Sequence, residues 1–235
     1  IAKEPVTVWL SQLGWIKAAK GHDFNPESAK LKTGDQLLSI IAAQSTDKLL
    51  LISSSGKAFN IDASKLPSGK EAAEPLRLMI DLGHDEKIIA FAPLSSEQTW
   101  IFASKAGKAL MVQASDLVVS TKTGKQVMRA ADGDSLFIAK PVSGSLIATI
   151  GENRKMLIFP TYQLPVMKRG QGITLQKYRD GGLSDIYFLN EGDALKWKVK
   201  DKEYEVKDLM PWRGDRAQTG RLAPNGFPAN NKFVG

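Results

Sequence analysis

The residues most able to do chemistry are the lysines and arginines that lie among glycines in three segments. The segment STKTGKQVMR carries Lys122, Lys125 and Arg129, MKRGQGITLQKYR carries Lys168, Arg169, Lys177 and Arg179, and PWRGDRAQTGR carries Arg213, Arg216 and Arg221. Glycine lets a backbone approach a phosphate closely and leaves N–H groups free to donate to it. The segments therefore predict phosphate contacts, with ordinary solubilising cations in turns as the alternative.

The net charge of +7 is unevenly distributed along the chain. Residues 1–70 carry nine Lys or Arg against six Asp or Glu, residues 71–97 carry two against six, and residues 98–235 carry twenty-one against thirteen. The basic surplus is therefore mostly C-terminal. The acidic segment 71–97 is expected either to repel a polyanion or to contact a protein.

Residues that could support catalysis or hold a metal are sparse. His22 and His84 stand in similar settings, KGHDF and LGHDE, but neither has a third ligand in view, and a polar turn histidine is the simpler interpretation. The stretch 132–134 lacks the later glutamate of a calcium loop. With no cysteine, thiolate metal sites are excluded. We expect no catalytic residue, no metal and no cofactor in this chain.

The elements that position the cations are indicated by a repeat. SSSGKAFNIDASKLP begins at Ser53, SKAGKALMVQASDLV begins at Ser104, and a looser copy, GENRKMLIFPTYQLP, begins at Gly151. Each copy places Gly or Asn between two apolar runs, which predicts a β-hairpin whose turn uses a positive φ. VTVWLSQLGWIKAAK before them and IYFLNEGDALKWKVK after them suggest two further copies.

The spacing of the turns indicates the architecture. Turns aligned on Gly14, Gly56, Gly107, Arg154 and Ala194 are 42, 51, 47 and 40 residues apart, which is the period of four-stranded propeller blades. The sequence therefore predicts a single all-β domain over residues 1–235 with five propeller-like blades. The polar tail 224–235 is expected to be flexible.

If every blade begins at the same point, Lys57, Lys108 and Lys155 occupy equivalent positions. The cations then recur around the circumference and form a curved positive rim, which suits a bent duplex better than a small acidic ligand. Lys17, Lys20 and Arg154 complete the predicted DNA-binding set. No run of 18 apolar residues and no secretory leader is visible.

EPVTVWLSQLGWIKAAKGHDF, with RKMLIFPTYQLP and KRGQG, resembles the gyrase A C-terminal-domain family, and within it the C-terminal domain of the A subunit of bacterial DNA topoisomerase IV. The resemblance runs from Glu4 to Arg221. It implies a β-pinwheel whose blades exchange strands and whose basic outer rim binds and bends duplex DNA. Gyrase carries a full Gly- and Arg-rich box that lets it wrap DNA chirally, whereas this chain has only KRGQG (Lys168–Gly172) and the looser RGDRAQTGR, both partial copies of that box. This favours help in selecting DNA crossings and supercoil topology, for decatenation and relaxation, over gyrase-like wrapping.

The resemblance also implies a context for the chain. It places the protein in the bacterial cytoplasm, associated with the chromosome, and its implied partners are its own catalytic core and the ATPase subunit. ATP, Mg²⁺ and the DNA-cleaving tyrosine belong to other regions of that enzyme, and none of the four tyrosines here lies in the cleavage motif. A protein-binding propeller without a nucleic-acid role is the alternative.

Overall fold

Residues 1–233 are described by a computed structural model of the chain, and they contain strands and short 3₁₀ helices but no α-helix. The strands are β1 Pro5–Ser11, β2 Trp15–Lys20, β3 Leu37–Gln44, β4 Lys48–Ser53, β5 Lys57–Asp62, β6 Glu74–Pro75, β7 Ile88–Pro93, β8 Thr99–Ser104, β9 Lys108–Gln113, β10 Lys125–Gln126, β11 Leu136–Pro141, β12 Leu146–Gly151, β13 Lys155–Pro160, β14 Ile173–Thr174, β15 Leu183–Leu189, β16 Leu195–Val199, β17 Lys202–Val206 and β18 Arg221–Leu222. The 3₁₀ helices are Pro26–Ser28, Ala63–Lys65, Leu76–Leu78, Ala114–Leu117, Thr161–Gln163 and Met210–Trp212.

These strands form five antiparallel sheets within the described residues. Four sheets have four strands, in the orders β3-β1-β2-β6, β10-β5-β4-β7, β11-β8-β9-β14 and β15-β12-β13-β18, and the fifth is the β16-β17 hairpin. The all-β class with five repeated sheets is therefore confirmed, with a fifth sheet of two strands.

The first three repeat hairpins have turns of the same geometry. Gly14, Gly56 and Gly107 have φ of 90°, 84° and 89°, as the repeat predicts. Three residues before each glycine stands a buried serine, Ser11, Ser53 or Ser104, whose hydroxyl accepts the N–H of the residue after the glycine over 3.0, 3.3 and 3.1 Å. The repeated serine thus stabilises each turn through a side-chain to backbone hydrogen bond.

The fourth hairpin reaches the same turn with different residues. The positive φ, 70°, belongs to Arg154 and not to Asn153. Gly151 replaces the serine, and Oδ1 of Asn153 accepts the N–H of Lys155 over 3.0 Å. The prediction that Asn would supply the positive φ is wrong here. Asn153 instead accepts the hydrogen bond that the serine hydroxyl accepts in the first three turns.

The sequence alignment predicts the fifth hairpin turn at Ala194, and this prediction is wrong. The run Ile186–Leu189 belongs to β15, the third strand of the preceding sheet, and Ala194 lies in the loop that follows it. The β16-β17 hairpin turns at Lys200 and Asp201, where Lys200 has a φ of 54°. A two-residue turn replaced the longer one, so the alignment selected the wrong loop.

Strand exchange is visible in the chain order. Each four-stranded sheet takes its last strand, β6, β10, β14 or β18, from the segment that follows the next hairpin. Each of these strands has two residues. It pairs with the start of the second strand in the hairpin of the sheet that receives it, as Ile173 and Thr174 of β14 pair with Ala109 and Lys108 of β9. The family expectation of exchanged strands is met.

The chain divides into two compact units, which are described separately. The first unit contains residues 1–97 and 114–126, and the second contains residues 98–113 and 127–235. The first unit has a core from its two sheets, which includes Val8, Leu51 and Phe59. In the second unit β12 is buried on both faces, because Ile147 packs into one cluster and Ala148 into another. The expectation of a single domain stays a prediction.

The C-terminal segment is packed within the second unit as far as residue 233, and the expected flexibility of residues 224–235 stays a prediction. Phe227 and Phe233 are each 3% exposed and join the cluster that contains Trp197. The indole N–H of Trp197 donates to the carbonyl of Gly226 over 2.8 Å. Aromatic burial holds residues 224–233 in place, whereas residues 234–235 lie outside the described part.

Candidate nucleic-acid interface

The segment Lys168–Gly172 is held against the protein through its glycines. The N–H of Gly170 donates to the carbonyl of Val127 over 2.9 Å, and the carbonyl of Gly170 accepts the N–H of Arg129 over 3.0 Å. Gly172 has a φ of 80°, and a Cβ there would come within 2.9 Å of the backbone of Ala109. A positive φ and the close approach of the Ala109 backbone therefore explain Gly172, whereas a Cβ at Gly170 would meet the Met167 side chain at 3.1 Å.

These contacts bring Arg129 beside two cations about forty positions further along the chain. We call Arg129, Lys168 and Arg169 the Gly170 cluster. All three are exposed, and none forms an ion pair or a side-chain hydrogen bond within residues 1–233. Neighbouring unpaired cations beside a glycine backbone are suited to bind phosphate oxygens.

A second group of predicted cations surrounds Thr174. Nζ of Lys108 donates to the Thr174 hydroxyl over 2.8 Å, and the guanidinium of Arg216 donates to the Thr174 carbonyl over 2.7 Å. Lys177 and Arg179 follow, both exposed on either side of Tyr178. Lys108 and Arg216 thus each donate a hydrogen bond within the protein, whereas the side chains of Lys177 and Arg179 are exposed to solvent.

Tyr178 anchors this second group. A Cβ at Gly107 or at Gly151 would come within 2.6 Å of its ring. The Tyr178 ring therefore packs directly against two hairpins, at positions where glycine leaves room for it. Burial raises the pKa of its phenol, and the hydroxyl has no hydrogen-bond partner among the described residues. A neutral packing tyrosine fits these facts, so its geometry gives no support for a nucleophile.

Other predicted cations are engaged by the protein itself. The Arg154 guanidinium donates to the carbonyls of Phe227 and Pro228 over 2.6 and 2.8 Å. Arg213 forms a two-pronged ion pair with Glu191 at 3.0 and 3.1 Å, and Nζ of Lys125 donates to the Asp116 carbonyl over 2.8 Å. The sequence places them in the phosphate-binding set, and in the structure each gives at least one donor to a group of the protein itself.

The remaining predicted cations divide between the units. In the second unit Lys155 and Arg221 lie on the paired strands β13 and β18, but Lys155 pairs with Leu222 and Arg221 with Met156, so their side chains point to opposite faces of the sheet. In the first unit Lys57 lies near Glu86, and Nζ of Lys122 is 4.0 Å from Asp81. Lys17 and Lys20 lie on β2 beside a cleft. The same cleft is lined by Lys30, Lys32 and Lys70, which sequence reasoning did not select although SAKLK hints at an alternating basic strip.

The charge divides between the units more sharply than along the sequence. The first unit carries thirteen Lys or Arg and thirteen Asp or Glu, so its net charge is zero. The second unit carries nineteen against twelve, which is the whole net charge of +7. The Gly170 cluster therefore lies on the unit that attracts polyanions.

The histidines and the acidic residues are the other side chains that could take part in chemistry. Nε2 of His22 donates a 2.9 Å hydrogen bond to the Ala43 carbonyl, as a turn histidine would. No group of three or more His, Cys, Asp or Glu within residues 1–233 is placed to hold a metal ion. No helix in this part of the chain is long and apolar enough to cross a membrane.

Repeated sheets with exchanged strands, and a cluster of cations that are unpaired within residues 1–233, define an all-β repeat protein with a basic surface on one unit. The model of one family, described as the DNA gyrase C-terminal domain, beta-propeller, matches residues 47–95, 98–143 and 146–183, more than half of the chain. The chain belongs to this family. The matched segments coincide with the second, third and fourth sequence repeats.

Relatives and solved structures agree with this assignment. The A subunit of DNA topoisomerase 4 from Rickettsia conorii is 39% identical over 99% of this chain and 31% of that protein, and the protein of the same name from Caulobacter vibrioides is 39% identical with the same coverage. The chain spans about a third of the length of these relatives. The structure of the E. coli ParC C-terminal domain matches with a TM-score of 0.84 at 26% identity, covering 96% of both chains. A DNA gyrase A C-terminal domain matches at 0.70 and 18% identity, over 96% of this chain and 80% of that one, and shows the fold alone.

Proposed function

We propose that this chain is the DNA-binding C-terminal segment of the A subunit of a bacterial topoisomerase IV, and that it holds duplex DNA on the second unit. The observation that carries the proposal is the placement of the whole +7 charge on that unit, together with the unpaired Gly170 cluster. Cations that neutralise phosphates release condensed counterions, which supplies affinity without sequence preference.

The Gly170 cluster is the centre of the proposed contact. Its three side chains form no ion pair within the described residues. They can therefore bind phosphate without breaking an existing interaction. Lys177, Arg179, Lys155 and Arg221 extend the basic surface within the second unit. Because the box is incomplete, the chain bends DNA without trapping strong writhe. It thereby helps the enzyme select DNA crossings for decatenation and relaxation.

The chain does not cleave DNA in this proposal. The nucleophilic tyrosine, ATP and Mg²⁺ act in the regions of the enzyme that lie outside this third of the relatives' length. The proposed protein partners are the catalytic core of the same polypeptide and the ATPase subunit. The enzyme works in the cytoplasm on the chromosome.

Fluorescence anisotropy with a short labelled duplex tests the proposal. We expect log K to fall linearly with log salt, by about 0.9 for each phosphate contacted, and two unrelated duplex sequences to bind alike. Charge reversal by Lys168→Glu with Arg169→Glu weakens binding, whereas Lys3→Glu with Lys48→Glu, the same charge change on the neutral unit, has a smaller effect. Circular dichroism confirms that both variants fold.

The opposite results identify the alternatives. Equal losses in the two double variants would contradict the assignment to the second unit. Absence of duplex binding at low salt would favour a protein-binding platform, because such a platform has no counterions to release. Gyrase-like supercoiling of a plasmid relaxed in the presence of the chain would contradict bending without strong writhe.

A further inference from the structure

A cleft of about 800 Å³ lies on the first unit, over one face of its first sheet. Trp9 of β1 and Lys17 of β2, which pair in register, lie on that face. One wall is the segment 69–73, which is tied to β2 by the 2.9 Å hydrogen bond from Ala18 N–H to the Pro67 carbonyl. The other wall is formed by residues 24 and 28–32 of the segment 21–36.

The segment 21–36 forms this wall because the first repeat has no earlier sheet to which it can give a strand. In later repeats the corresponding segment delivers β6, β10, β14 or β18 to the preceding sheet. Here it folds over its own sheet and is fixed at both ends. His22 bonds to the Ala43 carbonyl, and the Asp35 carboxylate accepts the N–H groups of Leu13 and Gln36 over 3.0 and 2.8 Å. The cleft is therefore a built feature of the first repeat.

The charge around the cleft is strongly unbalanced. Five lysines line it, namely Lys17, Lys20, Lys30, Lys32 and Lys70, and Glu71 is the sole carboxylate among the lining residues. None of the five ammonium groups has an ion-pair partner within residues 1–233. Like charges gathered without counter-charge raise the local potential, and this unit has no net charge to explain the gathering.

The cleft also has the means to hold a flat ring. Nζ of Lys32 lies 4.6 Å from the centroid of the Trp15 ring, so one face of that indole is covered by a mobile side chain and not by the core. Phe24 stands in the same lining, where the small side chains of Ala19, Ala72 and Ala73 take up little space. A planar base could take the place of the Lys32 ammonium on Trp15 and leave that lysine free to bind phosphate.

We propose that this cleft binds a nucleoside di- or triphosphate. The phosphates bind the lysines, and the base stacks on Trp15. A volume of about 800 Å³ falls within the range of small-molecule sites. Adjacent phosphates on one small molecule can reach several ammonium groups in a concave site, whereas a rigid duplex displays its phosphates on a convex surface. The proposal concerns the neutral unit and does not depend on the binding of DNA to the second unit.

Isothermal titration calorimetry of the 235-residue chain tests the proposal, with ATP, GTP, tripolyphosphate and adenosine as probes. We expect saturable 1:1 binding of a nucleoside triphosphate, several-fold tighter than tripolyphosphate, and no measurable binding of adenosine. Lys30→Glu with Lys32→Glu should weaken binding at least tenfold, because each lysine supplies a charge-assisted contact. Trp15→Phe should reduce the advantage over tripolyphosphate, since phenylalanine offers a smaller ring.

The control is Lys65→Glu with Lys87→Glu, the same charge change on the same unit outside the cleft, and it should leave nucleotide binding unchanged. All four lysines are exposed, so circular dichroism should show folded variants. Equal affinity for ATP and tripolyphosphate, equal loss in the control variant, or no binding at all would overturn the proposal. A loss of duplex binding in the Lys30/Lys32 variant as large as that in the Lys168/Arg169 variant would also overturn it, because the cleft would then be part of the DNA surface.

Discussion

The backbone N–H of Arg129 donates a hydrogen bond to the carbonyl of Gly170 over 3.0 Å, and this one contact places an arginine beside Lys168 and Arg169. Arg129 is exposed, and the backbone bond fixes its position while leaving its guanidinium free to bind another group. In the proposed function the three cations bind one stretch of phosphate backbone.

Arg129→Glu should weaken duplex binding about as much as Arg169→Glu does. Each change removes one phosphate contact, so we expect several-fold weaker binding and a salt slope smaller by about 1. Anisotropy across a salt series measures both quantities. The matched control is Lys207→Glu, an exposed lysine of the same unit that pairs with Glu205, and it should change binding less. Equal effects of Arg129→Glu and Lys207→Glu would show that net charge alone matters.

Arg154→Ala should destabilise the second unit without a matching loss of DNA binding. The guanidinium bonds to the carbonyls of Phe227 and Pro228 and to Oδ1 of Asn231, so its removal leaves buried acceptors unpaired and loosens the C-terminal segment. We expect a loss of about 2 kcal/mol in the free energy of unfolding and faster proteolysis within residues 224–233. Urea denaturation and limited proteolysis measure these effects, with Arg179→Ala as the exposed control. A stable variant that loses DNA binding would assign Arg154 to the interface.

Gly172→Ala should cost more stability than Gly133→Ala, although both glycines have φ near 80°. A Cβ at Gly133 meets nothing within 4 Å, so only the backbone penalty of about 1 kcal/mol applies there. At Gly172 the added carbon would also come within 2.9 Å of the Ala109 backbone, where β14 pairs with β9. We expect a loss of about 3 kcal/mol in thermal or urea unfolding. Equal losses would mean that the strand pairing adapts to the added carbon.

Glu86→Gln should destabilise the first unit at neutral pH and not at low pH. Burial opposes the ionised form of Glu86, but hydrogen bonds from the Ser55 and Ser53 hydroxyls and the Gly83 N–H, with the charge of Lys57, outweigh it and lower the pKa below its ordinary 4.5. The stabilisation is therefore present above pH 4.5 and is lost as the pH falls through the lowered value. We expect a difference of about 0.5–1 kcal/mol at pH 7, reduced because Glu86 is partly exposed and solvent screens its charge.

Urea unfolding of both proteins between pH 3 and pH 7 measures this difference. Glu97→Gln, an exposed acid outside these contacts, serves as the control. A Glu86→Gln effect that stays constant across the range would show that the hydrogen bonds do not depend on the charge.

The sequence predicted the parts of the fold that depend on neighbouring residues. Gly14, Gly56 and Gly107 adopt the expected positive φ, because a tight turn imposes it on the local backbone whatever surrounds it. The buried strands and their period of repetition were also correct. The outer copies were harder, since the fifth hairpin uses a two-residue turn at Lys200 that shares no residues with the others.

The sequence by itself thus determined the all-β class, the repeated hairpins, the family and the C-terminal excess of cations. The tertiary structure decided which cations are free, because Arg154 and Arg213 are engaged by groups more than 20 positions away, whereas Arg129 meets Gly170. It also decided which sheet receives each two-residue strand, and that the first connecting segment folds over its own sheet. The physical reason is that steric contacts between neighbouring residues determine a turn. A pairing between distant segments depends instead on which hydrogen-bonding groups the folded chain brings together.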